Sequence, residues 1–122
     1  MANSINWFEI PSKNFDRACK FYSQILDGEV QVTDMGGEML MGMLPNFSQG
    51  EGVGGHISSN PDIQPSDNGL MVYLNGGDDL QVILDKVVPA GGEILMPKTA
   101  SPGGDMAIFK DSEGNRMALH NM

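Results

Sequence analysis

Few groups in this chain are equipped for chemistry. There are two histidines, His56 and His120, one cysteine, Cys19, and one tryptophan, Trp7. Histidine changes charge near neutral pH, so Glu9 and His120 form a candidate base and acid for proton transfer. Trp7 and Tyr73 offer stacking surface, each with one polar handle. A lone cysteine makes neither an internal disulfide nor a cysteine-rich zinc site. Cys19 lies on an apolar helical stripe and is assigned to the core. Pro102-Gly103-Gly104 lacks the Lys-Ser/Thr ending of a phosphate loop and reads as a plain turn or as backbone approaching a ligand. No Ser/His/Asp arrangement stands out.

These residues fall on strand-like runs whose faces alternate. In the run Ile5–Ile10, Phe8 and Ile10 share one face, and Ile5, Trp7 and Glu9 the other. In Leu70–Asn75, Leu70, Val72 and Leu74 share a face, opposite Met71, Tyr73 and Asn75. In Asn115–His120, Met117 and Leu119 lie opposite Arg116, Ala118 and His120. Each run has one purely apolar face, fit to pack on a helix, and one mixed face. A mixed face over several strands suits a concave sheet around a ligand; the alternative is a solvent face with stray apolar residues. Met39, Met41 and Met43 also alternate and would make part of such a cavity adaptable.

Two helices must hold these strands. Phe15, Ala18, Cys19, Tyr22, Ile25 and Leu26 recur at helical spacing, with Asn14 as N-cap and Gly28 as stop. The expected span is 14–27. Leu80, Ile83, Leu84, Val87 and Val88 repeat the layout over 79–90, capped by Asp79 and ended by Pro89 and Gly91-Gly92. Phe15 and Leu80 open equivalent helices, 65 residues apart. Each helix follows one strand run and precedes others: Val30–Thr33 and Glu38–Leu44 in the first half, with a short run at Gly54–Ser58, then Glu93–Met96, Asp105–Lys110 and Asn115–His120. Asp111-Ser112-Glu113-Gly114 reads as a hairpin loop with Gly114 at positive φ. Residues 1–122 therefore read as one domain built by duplication, a first module over 4–58 and a second over 68–121. The Gly/Ser/Asn/Pro-rich stretch Pro45–Asn68 reads as a long loop that carries the short run at Gly54–Ser58.

Composition narrows the function classes. Seven Lys and Arg against sixteen Asp and Glu leave a net charge of −9, which opposes general nucleic-acid binding and favours cationic or neutral ligands. No apolar run approaches the roughly 18 residues of a membrane span. No basic, apolar leader opens the chain, so a cytoplasmic location is expected.

Trp7-Phe8-Glu9-Ile10-Pro11, Asn14-Phe15-Asp16-Arg17-Ala18 and Phe21-Tyr22 resemble the opening of vicinal oxygen chelate proteins. This superfamily includes glyoxalase I, bleomycin-resistance proteins and extradiol dioxygenases. Ala90-Gly91-Gly92, Met96-Pro97-Lys98, Met106–Asp111 and Glu113-Gly114-Asn115-Arg116 resemble its glyoxalase-like branch, related to lactoylglutathione lyase. The resemblance covers roughly residues 4–121. It implies an α+β fold of two βαβββ modules, their sheets curled into a half-open mixed barrel with the helices outside. It implies a homodimer, which unpaired sheet edges also favour, and for the enzymes a divalent metal on the cavity strands.

The resemblance places the metal-ligand positions on Trp7, Met71 and Ala118, with a fourth on or near His56. An indole N–H, a thioether and a methyl do not suit a hard divalent ion. No cofactor is therefore expected. Glu9 and His120, each two residues along the strand from a ligand position, combine with His56 as a displaced alternative. The sequence thus predicts a small-molecule cavity with Trp7, Met71 and Tyr73 as walls, Glu9 and His120 as polar anchors and Arg116 at the mouth. The alternative is a lyase, isomerase or dioxygenase of glyoxalase type acting through Glu9 and His120.

Overall fold

The structure is a computed structural model and describes residues 4–37, 39–45 and 52–121. Its elements run β1 (Trp7–Pro11), α1 (Phe15–Ile25), β2 (Gln31–Asp34), β3 (Leu40–Met43), β4 (Gly54–Ser58), β5 (Val72–Asn75), α2 (Gln81–Val87), β6 (Glu93–Ser101), β7 (Gly104–Lys110) and β8 (Arg116–His120). Each half is therefore a βαβββ unit. The sheets have matching orders, β1-β4-β3-β2 and β5-β8-β7-β6, and neither closes into a barrel. In both, the first strand pairs in parallel with the last and the remaining pairs are antiparallel. Among the described residues no helix is long and apolar enough to cross a membrane.

Local chemistry explains most boundaries, and corrects some. Asn14, in extended conformation, accepts from the Arg17 amide at 3.0 Å and opens α1. At its far end the left-handed residue is Asp27, at φ 52°, and not Gly28. Aspartate is among the few side chains that tolerate this region. Asp79 does serve the start of α2, its carboxylate accepting from the Gln81 amide at 3.0 Å. That helix is shorter than its apolar pattern and leaves Val88 exposed. The run expected from Glu38 begins at Leu40, Glu38 itself lying outside the described residues. The run expected at Glu93–Met96 extends to Ser101, through a register shift beside Pro97. Proline has no amide to give a ladder, which fits an irregularity on this edge strand.

Both modules share one core. It combines Ile10 and Ile57 from the first sheet, Ala18, Phe21, Tyr22 and Ile25 from α1, Leu80, Leu84 and Val87 from the start and length of α2, and Leu74, Phe109 and Leu119 from the second sheet. Phe21 stands edge-on to Tyr22 at 5.0 Å between ring centres and lies 6.1 Å from Phe109, so α1 packs on the second module as well as its own. The faces of the sheets opposite this core carry the mixed residues.

The β7–β8 loop locks the modules together with a buried polar network. The Tyr22 hydroxyl donates to Asp111 Oδ2 at 2.7 Å, and Asp111 also accepts from the backbone amides of Glu113 and Asn115 and from Asn115 Nδ2. Asn115 Nδ2 also donates to the Pro11 carbonyl. Glu113 accepts from the Lys13 and Asn14 amides at 2.8 and 2.6 Å and pairs with Arg17 Nε at 2.7 Å. A carboxylate from the second module thus sits at the positive end of α1. Gly114, at φ 95°, supplies the left-handed turn that brings these groups round.

Candidate functional site

A half-open cleft of about 1120 Å³ lies between the edge strands β1 and β5. Trp7 lines it from β1 and Tyr73 from β5, with Met71 and the fully exposed Leu70 just before β5. Leu26 after α1 and Ile83 of α2 form apolar floor. Phe8 reaches the cleft by lying over Gly55, where a Cβ would fall 2.6 Å from two atoms of its ring. Only glycine lets the ring settle there.

Register explains what surrounds Trp7. In the parallel pairing of β1 with β4, Glu9 stands beside His56, and Trp7 points from the same face two residues earlier. Trp7 Nε1 donates to His56 Nδ1 at 2.8 Å, with ring centres 6.0 Å apart. The neutral imidazole therefore carries its proton on Nε2, which lies 3.8 Å from Glu9 Oε1. Met43 of β3 is the register partner of His56 on its other side.

The second sheet repeats the arrangement. Tyr73 is half-exposed on β5, and His120 on the parallel neighbour β8 stands edge-on to it, ring centres 6.1 Å apart at 86°. A smaller polar pocket of about 530 Å³ adjoins the cleft here, lined by Tyr73, Asn75, Asp78 and His120 among others.

The expected site residues therefore divide. Trp7, Met71 and Tyr73 meet in the cleft. Glu9 sits behind Trp7 with His56, and His120 sits behind Tyr73. Arg116 is exposed at the start of β8, opposite Lys110 and away from the cleft lining. Among the described residues no three His, Cys, Asp or Glu side chains cluster as a metal site, so Glu9, His56 and His120 are not assembled as one. Of the positions that the sequence resemblance assigns to metal ligands, Trp7 presents a hydrogen-bond donor, Met71 a soft sulfur and Ala118 a fully buried methyl. This donor set does not fit a hard divalent ion. Burial, aided by Asp16, pushes the Cys19 thiol up to about 11, which disfavours the nucleophilic thiolate.

Sequence reasoning missed Leu26, Ile83 and Phe8 as cleft residues, because each belongs to an apolar face assigned wholly to the core. It also missed the bond between Trp7 and His56, which depends on a strand register spanning 49 residues.

Comparison with known proteins places this geometry. The sequence model described as Glyoxalase/Bleomycin resistance protein/Dioxygenase superfamily matches residues 4–119. No curated protein matches the chain. Among solved structures, a glyoxalase/bleomycin resistance protein from Albidiferax ferrireducens T118 superposes with a TM-score of 0.75 at 14% identity, covering 98% of this chain and 99% of that one. TnmS3, an antibiotic binding protein from Streptomyces sp. CB03234, superposes at 0.69 with 20% identity over 99% and 98%. An E144Q mutant of glyoxalase I from Zea mays superposes at 0.69 with 17% identity, over 95% of this chain and 46% of that one.

Proposed function

This chain belongs to the Glyoxalase/Bleomycin resistance protein/Dioxygenase superfamily, and on that premise we propose that it holds a small organic molecule in the cleft between Trp7 and Tyr73. The observation that carries this reading is the cleft itself. It is large enough for a drug-sized ligand, apolar over most of its walls, and bounded by two aromatic side chains with polar groups behind them. The likeness to an antibiotic binding protein supports the same reading. The inherited metal-ligand positions hold Trp7, Met71 and Ala118, so the proposed function runs without the superfamily's metal. The reading includes a homodimer, favoured by the places of β1 and β5 at the ends of their sheets and by the exposed Leu70, and read by sedimentation.

The test uses purified protein, assayed for metal and titrated with the neutral apolar fluorophore N-phenyl-1-naphthylamine. The protein is expected to carry no stoichiometric Ni, Zn, Fe or Mn and to bind the probe. Trp7→Ala and Tyr73→Ala should each weaken binding by about tenfold or more, as for truncated aromatic anchors. Affinity unchanged in both variants would place the site elsewhere. One bound metal equivalent, lost on Glu9→Ala or His120→Ala, would instead establish the displaced metal site.

The Glu9–His56 pair favours a second reading, an enzyme of glyoxalase type. Glu9 Oε1 and His56 Nε2 are 3.8 Å apart, outside direct hydrogen-bond reach, and a bound substrate that closes this gap would make them a proton-transfer pair. Turnover of a glutathione hemithioacetal, lost in Glu9→Gln, would establish it.

A further inference from the structure

Two aromatic walls face the cleft from the two edge strands, and each is braced by a histidine. Trp7 on β1 is held by His56 on β4, and Tyr73 on β5 abuts His120 on β8. In both cases the brace comes from the parallel neighbour, at corresponding places in the two modules. The first brace is the firmer one, because it is directional. An indole N–H bonded at 2.8 Å cannot turn about its side-chain torsions without losing its acceptor. His56 is itself mostly buried, with 13% of its side chain exposed, and its second nitrogen lies 3.8 Å from Glu9 Oε1.

We propose that His56 is a positioning residue that fixes the plane of the Trp7 ring, and that the braced walls make the cleft selective for planar aromatic molecules over flexible chains of similar size. The inference rests on the cleft reading above and adds to it the class of ligand. A rigid flat wall offers full dispersion contact and offset stacking to a flat ligand without reordering on binding. A flexible aliphatic chain gains less from such a wall and loses more torsional freedom on entering. The charge balance of the chain adds that the aromatic ligand is neutral or cationic.

The test compares N-phenyl-1-naphthylamine, followed by its own fluorescence, with 1-decanol, followed by calorimetry. Wild-type, His56→Leu and His56→Gln proteins are used, the glutamine carbonyl being able to accept from the indole. Wild type should bind the aromatic probe about tenfold more tightly than decanol, the factor expected of an aromatic contact. His56→Leu should weaken the aromatic probe about fivefold, the weight of one neutral hydrogen bond, and decanol less than about twofold. His56→Gln should restore most of the aromatic affinity. The single tryptophan gives one indole N–H resonance, which should move upfield in His56→Leu and stay near its wild-type position in His56→Gln. Equal loss of both probes in His56→Leu would reduce His56 to a structural residue and overturn the positioning role. Decanol binding as tightly as the aromatic probe in wild type would overturn the selectivity while leaving the cleft reading intact. Failure of both probes to bind any of the three proteins would overturn the cleft reading and this inference together.

Discussion

Replacing Asp111 by alanine should cost about 3–5 kcal/mol, a large share of the roughly 5–15 kcal/mol that holds a domain of this size together. The reason is what the carboxylate leaves behind. Tyr22 is fully buried, and its hydroxyl would lose its acceptor. The amides of Glu113 and Asn115 and the Asn115 side chain would lose theirs too. Each buried donor left unpaired costs about 1–3 kcal/mol, and the loop's own turn would be released. Tyr22→Phe removes donor and one acceptor contact together and should cost only about 1–2 kcal/mol. Urea unfolding reads both: the midpoint falls while the slope stays constant. A loss below about 1 kcal/mol in Asp111→Ala would mean that the loop repacks without it.

Glu113→Ala should cost about 2 kcal/mol at neutral pH, less than its many contacts suggest, because Arg17 stays half in water. Its pH dependence is the sharper signature. Burial pushes the Glu113 carboxyl up, but the Arg17 guanidinium, the Asn14 amide, the Ser112 hydroxyl and the Lys13 amide outweigh it and hold the group below its ordinary value. A carboxyl whose folded value lies below its unfolded one contributes stability above the unfolded value. That contribution is lost as pH falls through the folded one. Stability of the wild type should therefore decline from about pH 5 downwards, and Glu113→Gln should show a shallower decline over the same window. Urea midpoints at a series of pH values measure this. Parallel profiles for the two proteins would assign the acid sensitivity to other carboxyls, with Asp79 also held low by the Gln81 amide and Lys98.

Much of this architecture is legible in the residues. The stripe Phe15–Leu26 and its echo at Leu80–Val87 expose the duplication, because helical burial has a period that a short window reveals. The strand at Gly54–Ser58 is found at its observed bounds. Alternation along β1 and β5 puts Trp7 and Tyr73 on the right faces, since the pleat fixes them locally. Where the reading stops, geometry beyond the local chain takes over. Leu70 belongs by alternation with Val72 and Leu74, yet β5 begins at Val72 and Leu70 lies fully exposed beside the cleft. Phe21 falls off the narrow stripe, yet is buried because a second module covers that flank of α1. The Asp111–Asn115 loop is visible as a turn, but nothing in its residues says that it docks on a helix 89 or more positions earlier. Glu9 and His120 share the expected kind of face, yet each serves a different aromatic wall, since pairing within a sheet decides neighbours and residue type does not.

The lock between the modules also sets an order in time. During synthesis α1 is made long before the loop that completes its first turn, and Tyr22 precedes its acceptor by 89 residues. In that interval the amides of Lys13 and Asn14 lack the Glu113 carboxylate, Tyr22 lacks Asp111, and the flank of α1 at Phe21 lacks Phe109. A growing chain therefore carries its first module as an unfinished half, with a polar end and an apolar side both awaiting the second. Until its complement arrives, such a half keeps apolar surface in water, the condition under which incompletely folded chains associate.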